Sequence, residues 1–288
     1  MRTSKNKNGF SVLMSIYYKE NPFHLELSLK SILIDQTLLP NEVVIVEDGP
    51  LTKELDEVLN KYVEQFPNII KLFPLKENGG LGNALNYGLT KCKYDLVMRM
   101  DTDDIAVPNR FEIQINYMKK NKNVSVVGGL IKEFQEDISE NMRLKNMPIT
   151  KEEVIKYAKF RNPINHMTVC FRKKDILKVG NYQPLFFLED HYLWSRLLVA
   201  GKIIENVPEV LVYARIGNGF SERRGNKNYL KGWIFLQKYL YKNRFISKFQ
   251  QIRNNLGMLT FILVPTNIRE IFYNKLLRKG EVNVDKTK

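Results

Sequence analysis

The chain has 288 residues, 44% hydrophobic and 26% charged, which suffices for a large buried core and excludes a disordered class. Its two cysteines, Cys92 and Cys170, exclude a disulfide framework and fit a reduced, cytoplasmic protein. The net charge of +14 is uneven, with fifteen Lys/Arg against three Asp/Glu in residues 223–288, which points to a tail that meets phospholipid headgroups or nucleic acid.

After the basic start at Met1–Gly9, Phe10–Tyr17 reads as a buried strand and not as a signal peptide, because no small-residue cleavage site follows. A helix with Leu25, Leu29, Ile32 and Leu33 on one face comes next. Glu42–Glu47 is a second buried strand, stopped by the turn signal Asp48-Gly49-Pro50. Leu55, Val58, Leu59, Tyr62, Val63 and Phe66 mark the most regular helix, and Asn68–Phe73 is a third strand. Asn78-Gly79-Gly80 then breaks the chain before a helix carrying Leu81, Ala84, Leu85 and Leu89. Tyr94–Met100 is a fourth strand that stops at Asp101. Pro108 is placed to open a helix with Phe111, Ile115 and Met118 inward, and Val124–Gly128 is a fifth strand.

Beyond residue 130 the pattern is less regular, with helices near Glu152–Phe160, Lys173–Val179 and Asp190–Ala200 and a strand at Thr168–Phe171. From about Asn226 the chain reads as basic, aromatic-rich helices. Leu256–Val264, the most apolar stretch, has nine residues against the roughly 20 that cross a bilayer, so no integral span is expected. The repeated β-α-β-α order implies an α/β fold, a parallel sheet flanked by helices. In such sheets ligands bind at the strands' carboxyl ends, where Tyr17–Asn21, Glu47-Asp48 and Asp101–Asp104 fall.

Two acidic clusters carry the chemistry. Asp101-Thr102-Asp103-Asp104 packs three carboxylates behind a buried strand, a repulsion that a hard cation such as Mg²⁺ or Mn²⁺ relieves. The competing reading is a solvated acidic turn before the next helix. Glu189-Asp190 precedes a helix with Leu193, Trp194, Leu197 and Leu198 on its buried face. Asp190 suits the N-cap, which alone explains an Asp there, yet transfer to a hydroxyl needs a carboxylate to take the proton. In the Asn78–Asn86 stretch, a phosphate or sugar contact competes with tight helix–strand packing. The histidines His24, His166 and His191 lack metal-ligand spacing, so zinc is not expected. His166 is either a satisfied buried histidine or a substrate contact.

Ser15–Asn21, Gln36 through Asp48-Gly49, Asn78–Gly88, Asp101–Asp104, and Glu189-Asp190 before Leu193-Trp194 stand in an order that resembles glycosyltransferase family 2, the inverting GT-A enzymes. The resemblance covers roughly residues 10–225. Asn162–Thr168 and Val212–Gly225 are most similar to the subgroup that assembles O-antigen, capsule or exopolysaccharide repeat units. It implies a GT-A (Rossmann-like), mostly parallel sheet with a C-terminal basic helical extension. The catalytic domain would be 1–225, with a nucleotide-binding half at about 10–130 and an acceptor half at about 131–225, and the basic tail would be 226–288.

The resemblance also implies roles. Ser15, Tyr17 and Asp48 would hold the nucleoside, with Asp48 reading the base of a UDP-sugar. Asn78, Asn86, Arg99 and Asp101 would lie near the donor, and Asp103 with Asp101 would take Mn²⁺ or Mg²⁺. Asp190, beside Glu189, would be the catalytic base, and His166 would face the acceptor. Glu47 departs from the family's usual aspartate, and Ile216-Gly217 stands where many relatives place a metal-binding histidine. The acceptor would be a saccharide on a polyprenyl diphosphate, met by a cytoplasmic enzyme on the inner face of the cytoplasmic membrane. An apolar stripe of Ile268, Ile271, Phe272 and Leu276, flanked by Arg269, Lys275 and Arg278, suits an interfacial helix binding anionic lipid; packing on the catalytic domain is the alternative. The competing functions are a nucleotidyltransferase, for which no triphosphate loop precedes Asp48, and a basic nucleic-acid-binding protein, for which no motif is present. No nucleic-acid partner is therefore expected.

Overall fold

The computed structural model describes residues 9–138, 142–216 and 227–264 of the chain. The first half follows the expected alternation: β1 (Phe10–Ile16), α1 (Pro22–Leu33), β2 (Glu42–Glu47), α2 (Lys53–Gln65), β3 (Ile70–Pro74), α3 (Leu81–Lys91) and β4 (Leu96–Arg99). These strands pair in parallel in the order β3-β2-β1-β4. Their apolar runs serve two cores at once. Val12, Met14, Val43 and Ile45 pack with Leu25, Leu29, Leu55 and Leu59 on one face. Leu13, Val44 and Val46 pack with Ala84, Leu85 and Leu89 on the other. A strand buried on both faces reads as continuous hydrophobicity, which is why these strands were visible in the sequence.

The second half comprises β5 (Ile105–Ala106), α4 (Arg110–Lys120), β6 (Val124–Phe134), β7 (Arg143–Lys145), α5 (Lys151–Ala158), a 3₁₀ turn at His166–Thr168, β8 (Cys170–Arg172), α6 (Lys173–Lys178), α7 (Glu189–Val199) and β9 (Ile203–Arg215). β8 runs antiparallel between β4 and β6, β9 runs parallel to β6, and β5 and β7 add antiparallel pairs. The nine-stranded sheet is thus mixed: its first four strands are all parallel, and beyond them the β6–β9 pair is parallel while the other pairs are antiparallel.

Two sequence expectations fail locally. Pro108 does not open α4, which starts at Arg110 after Asn109; instead its carbonyl accepts from the Thr37 amide at 2.8 Å. The 13-residue β9 was not foreseen. Pro208 and Glu209 lie between the partners of Gly129 and Leu130, and this bulge erases the strand's period.

Beyond β9, α8 (Lys227–Lys242) and α9 (Lys248–Leu263) follow one another, with Ser247 and Gln250 forming a capping box for α9. Trp233 and Tyr229 of α8 pack on Leu188, and Leu236 and Leu240 pack near Tyr192 and Val199 of α7. The stripe at Ile268, Ile271, Phe272 and Leu276 lies outside the described residues. Among the described residues no helix is long and apolar enough to cross a membrane.

Candidate active site

The parallel order β2-β1-β4 brings the carboxyl ends of these strands to one edge. At the end of β2, Asp48 is buried, and its two oxygens accept from the Gly79 and Gly80 amides at 2.7 and 2.9 Å. Asn78 returns a side-chain hydrogen bond to the Asp48 carbonyl at 3.1 Å. Gly49 makes this approach possible: it has φ 87°, and a Cβ there would stand 2.7 Å from the Asn78 nitrogen. Asp48 and Asn78 therefore fasten the loop before α3. Asn86 likewise braces a distant segment, donating to the Tyr182 carbonyl at 2.6 Å and accepting from Asn181 at 2.9 Å through its own carbonyl. Ser15 is half-buried on β1, and Tyr17 is exposed just beyond it.

At the end of β4, Arg99 is fully buried and ion-pairs with Asp101. Its Nε has no hydrogen-bond partner among the described residues. Arg110 holds this corner from beneath, donating to the carbonyls of Arg99 (2.6 Å) and Met167 (2.8 Å). Burial lowers its own pKa to about 9. Arg215, the last residue of β9, closes the 101–104 loop: its amide donates to Asp104 Oδ1 at 2.8 Å and its Nε to the Asp103 carbonyl at 3.2 Å. Ile216 follows, and Gly217 lies outside the described residues.

The carboxylates here are crowded. Burial and then Asp101 push Asp103 up to about 6. Burial, then Asp103 and Asp101, push Glu20 up to about 7, and Asp104 is raised well above its ordinary value by burial and Asp103. Oxygen-only donors in mutual repulsion fit a hard divalent cation. Among the described residues no three potential ligands are gathered for a metal, so Asp101 and Asp103 would need phosphate and water oxygens to complete a shell.

The second acidic pair sits at the start of α7. Asp190 is not the N-cap, because Leu188 precedes the helix and Glu189 and Asp190 occupy its first turn. The helix starts two residues earlier than a cap at Asp190 would place it. Asp190 Oδ2 accepts from Asn162 Nδ2 at 2.7 Å, and Oδ1 from the His191 amide at 2.7 Å. Glu189 is pushed up to about 7 by burial and then by Asp190, while the Arg99 charge opposes the rise. Tyr182 is fully buried; burial raises its pKa, Arg99 opposes the rise, and Asp190, Glu189 and Asp101 add to it, so charges of both clusters reach this one hydroxyl.

His166 is held 2.9 Å from the Tyr182 hydroxyl by Nε2, with its ring edge-on to Trp194. Burial, followed by Arg99, drives its pKa well below the ordinary value, which favours the neutral imidazole. Sequence reasoning missed Glu20, Arg110, Asn162, Tyr182 and Arg215. Glu20, inside the polar cluster after β1, and Asn162 and Arg215, inside the Asn162–Thr168 and Val212–Gly225 segments, carried a signal; Arg110 and Tyr182 carried none.

The family model "Glycosyl transferase family 2" matches residues 11–180. The amylovoran biosynthesis glycosyltransferase AmsE of Erwinia amylovora is 39% identical, over 94% of this chain and 100% of its own. A UDP-Gal:alpha-D-GlcNAc-diphosphoundecaprenol beta-1,3-galactosyltransferase of Escherichia coli is 38% identical, over 94% of this chain and 97% of its own. Among solved structures, the mannosyltransferase PcManGT of Pyrobaculum calidifontis, in complex with GDP-Man and Mn²⁺, superposes with a TM-score of 0.62 at 14% identity, over 96% of this chain and 82% of its own. That likeness is one of fold, and it agrees with the expected GT-A-like architecture.

Proposed function

Since the chain belongs to glycosyltransferase family 2, we propose that it is an inverting enzyme that moves a sugar from a UDP-sugar to a hydroxyl of a polyprenyl-diphosphate-linked saccharide in bacterial surface polysaccharide synthesis. This reading is supported by the buried Tyr182, which hydrogen bonds to His166 and Asn86 hold in place and which lies within electrostatic reach of both acidic clusters. The name of the Escherichia coli relative supports the donor and acceptor classes.

In this mechanism Asp190, oriented by Asn162, takes the proton of the acceptor hydroxyl. The acceptor oxygen forms a bond to the anomeric carbon as the bond from that carbon to the diphosphate oxygen breaks, and its electron pair leaves with the nucleoside diphosphate. A single displacement inverts the configuration. Asp103 and Asp101 would hold Mn²⁺ or Mg²⁺, which would supply neutralising charge for the diphosphate. Ser15, Tyr17 and Asp48 border the nucleoside, while Asn78 and Asn86 shape the loops around it. Glu189 adds a negative charge beside the base, and His166 acts by positioning Tyr182.

The membrane side of the proposal rests on α9. Phe249, Ile252, Leu256, Leu259 and Leu263 recur at alternating three- and four-residue spacing and are all exposed, Phe249 to 74% and Leu263 to 72%. With Lys248 and Arg253 on the same helix, this face suits the interface of an anionic bilayer. A donor screen decides the main reading: release of nucleoside diphosphate from one UDP-sugar, dependent on Mn²⁺ or Mg²⁺, is expected. Absence of release from every nucleotide sugar, with and without a lipid-linked acceptor, overturns it.

A further inference from the structure

Asp190 also lines a cavity of about 700 Å³, enclosed by the first turn of α7, the chain at Lys145-Asn146, α5 with its exit loop to Asn162, and helices α8 and α9. This size is that of a small-molecule site. Glu20, Arg99, Asp101 and Asp103 do not line it, so it is distinct from the edge where the donor acids stand. Among the described residues its walls carry aromatic rings, including Phe187 and Trp233, and the cations Lys145, Arg161 and Arg253, with Asp190 as the acidic residue.

The cavity is rigidly built. Asn254 donates to the Lys159 carbonyl at 2.7 Å and to Gln237 Oε1 at 2.9 Å, which bolts α9 both to the end of α5 and to α8. The neighbouring Arg253 directs Nε and Nη2 at Asn254 Oδ1. A guanidinium has five N–H donors, so others remain for an anion.

Taking Asp190 as the base, as in the preceding reading, we propose that this cavity is the acceptor site: the sugar hydroxyl meets Asp190, and Lys145, Arg161 and Arg253 hold the diphosphate that joins that sugar to its lipid. A neutral saccharide gives no reason for three cations in an aromatic cavity, whereas a diphosphate between sugar and lipid does. The exposed apolar stripe belongs to the same α9 that supplies Arg253, Gly257, Met258 and Phe261 to the cavity wall, so the lipid can leave along that helix.

The test is calorimetric titration of the full chain in EDTA with farnesyl diphosphate and with farnesol as probes. Farnesyl diphosphate should bind at least about tenfold tighter than farnesol, and Arg253→Ala and Lys145→Ala should each weaken it about tenfold. Asp103→Ala should leave its affinity unchanged. Equal affinity for the two probes, indifference to both cation substitutions, or loss of binding in Asp103→Ala would each overturn the assignment. Asp190→Asn separates this inference from the one beneath it. Full transfer activity in that variant removes the base, while diphosphate binding that still tracks the cations leaves the site standing.

Discussion

The two acidic groups around Arg99 are built differently. At the end of β4, Asp103 and Glu20 crowd Asp101 with little beyond Arg99 and Arg215 to offset them, and burial and repulsion push both acids up. At the start of α7, Asp190 is fixed by a neutral side chain, Asn162, and it faces a cavity containing three cations. The difference teaches that the first group is crowded as the proposed cation site requires. The second has one carboxylate oxygen fixed by a side-chain amide, as the proposed base requires.

The sharpest break in that contrast comes from Asp103→Ala, which should abolish metal-dependent transfer to the assay background; retained turnover would assign the cation to other residues. Asp190→Asn comes next, with turnover reduced by about 10²–10⁴ and donor affinity nearly unchanged. Turnover and affinity falling together would move Asp190 from the acceptor side to the donor side. Arg110→Ala tests the scaffold under the first group. Removing the guanidinium leaves the buried Arg99 and Met167 carbonyls without its donors, which should cost about 1–3 kcal/mol of stability for each group left unsatisfied, measured by urea unfolding.

The smallest expected effect is a pH dependence of the metal-free protein. Asp103 and Glu20 have raised values in the fold, at about 6 and about 7, so the protonated cluster is the favoured one. Its contribution is complete below the ordinary carboxylate range and is lost as pH rises through 6 to 7. Glu189, also raised to about 7, adds to the loss with the same sign. In EDTA the melting temperature should therefore fall from mildly acidic to mildly alkaline pH. Asp103→Asn should flatten the fall, and Mn²⁺ should reverse part of it. A melting temperature that climbs over that range contradicts the crowding.

Much of this contrast was legible from one side only. The strand-end edge could be read because strands buried on both faces announce themselves as apolar runs, and the polar residues at their ends fall together once the strands are parallel. The region around Asp190 could not. Its cavity draws on Lys145, Arg161, Asp190, Trp233 and Arg253, which share no period and lie on separate elements. The reading of Asp190 as a cap failed for a related reason: its partner, Asn162, is 28 residues away. Asp48, expected beside the nucleoside, also proved to fasten Gly79 and Gly80, a bond that spans 31 and 32 residues.

The sequence by itself determined the alternation of strands and helices in the first half, the edge on which Asp48 and Asp101–Asp104 gather, and the resemblance that those motifs in order support. Tertiary structure alone decided that β9 runs beside β6 and ends in the Arg215 that closes the 101–104 loop. It also decided that Arg110 underpins Arg99, and that α8 and α9 enclose a cationic cavity around Asp190. The division has a physical cause. Hydrophobic periodicity is a local property that burial imposes on neighbouring residues, whereas the hydrogen-bond and charge partners of a buried polar group are chosen by whatever the folded chain brings within about 3 Å of it.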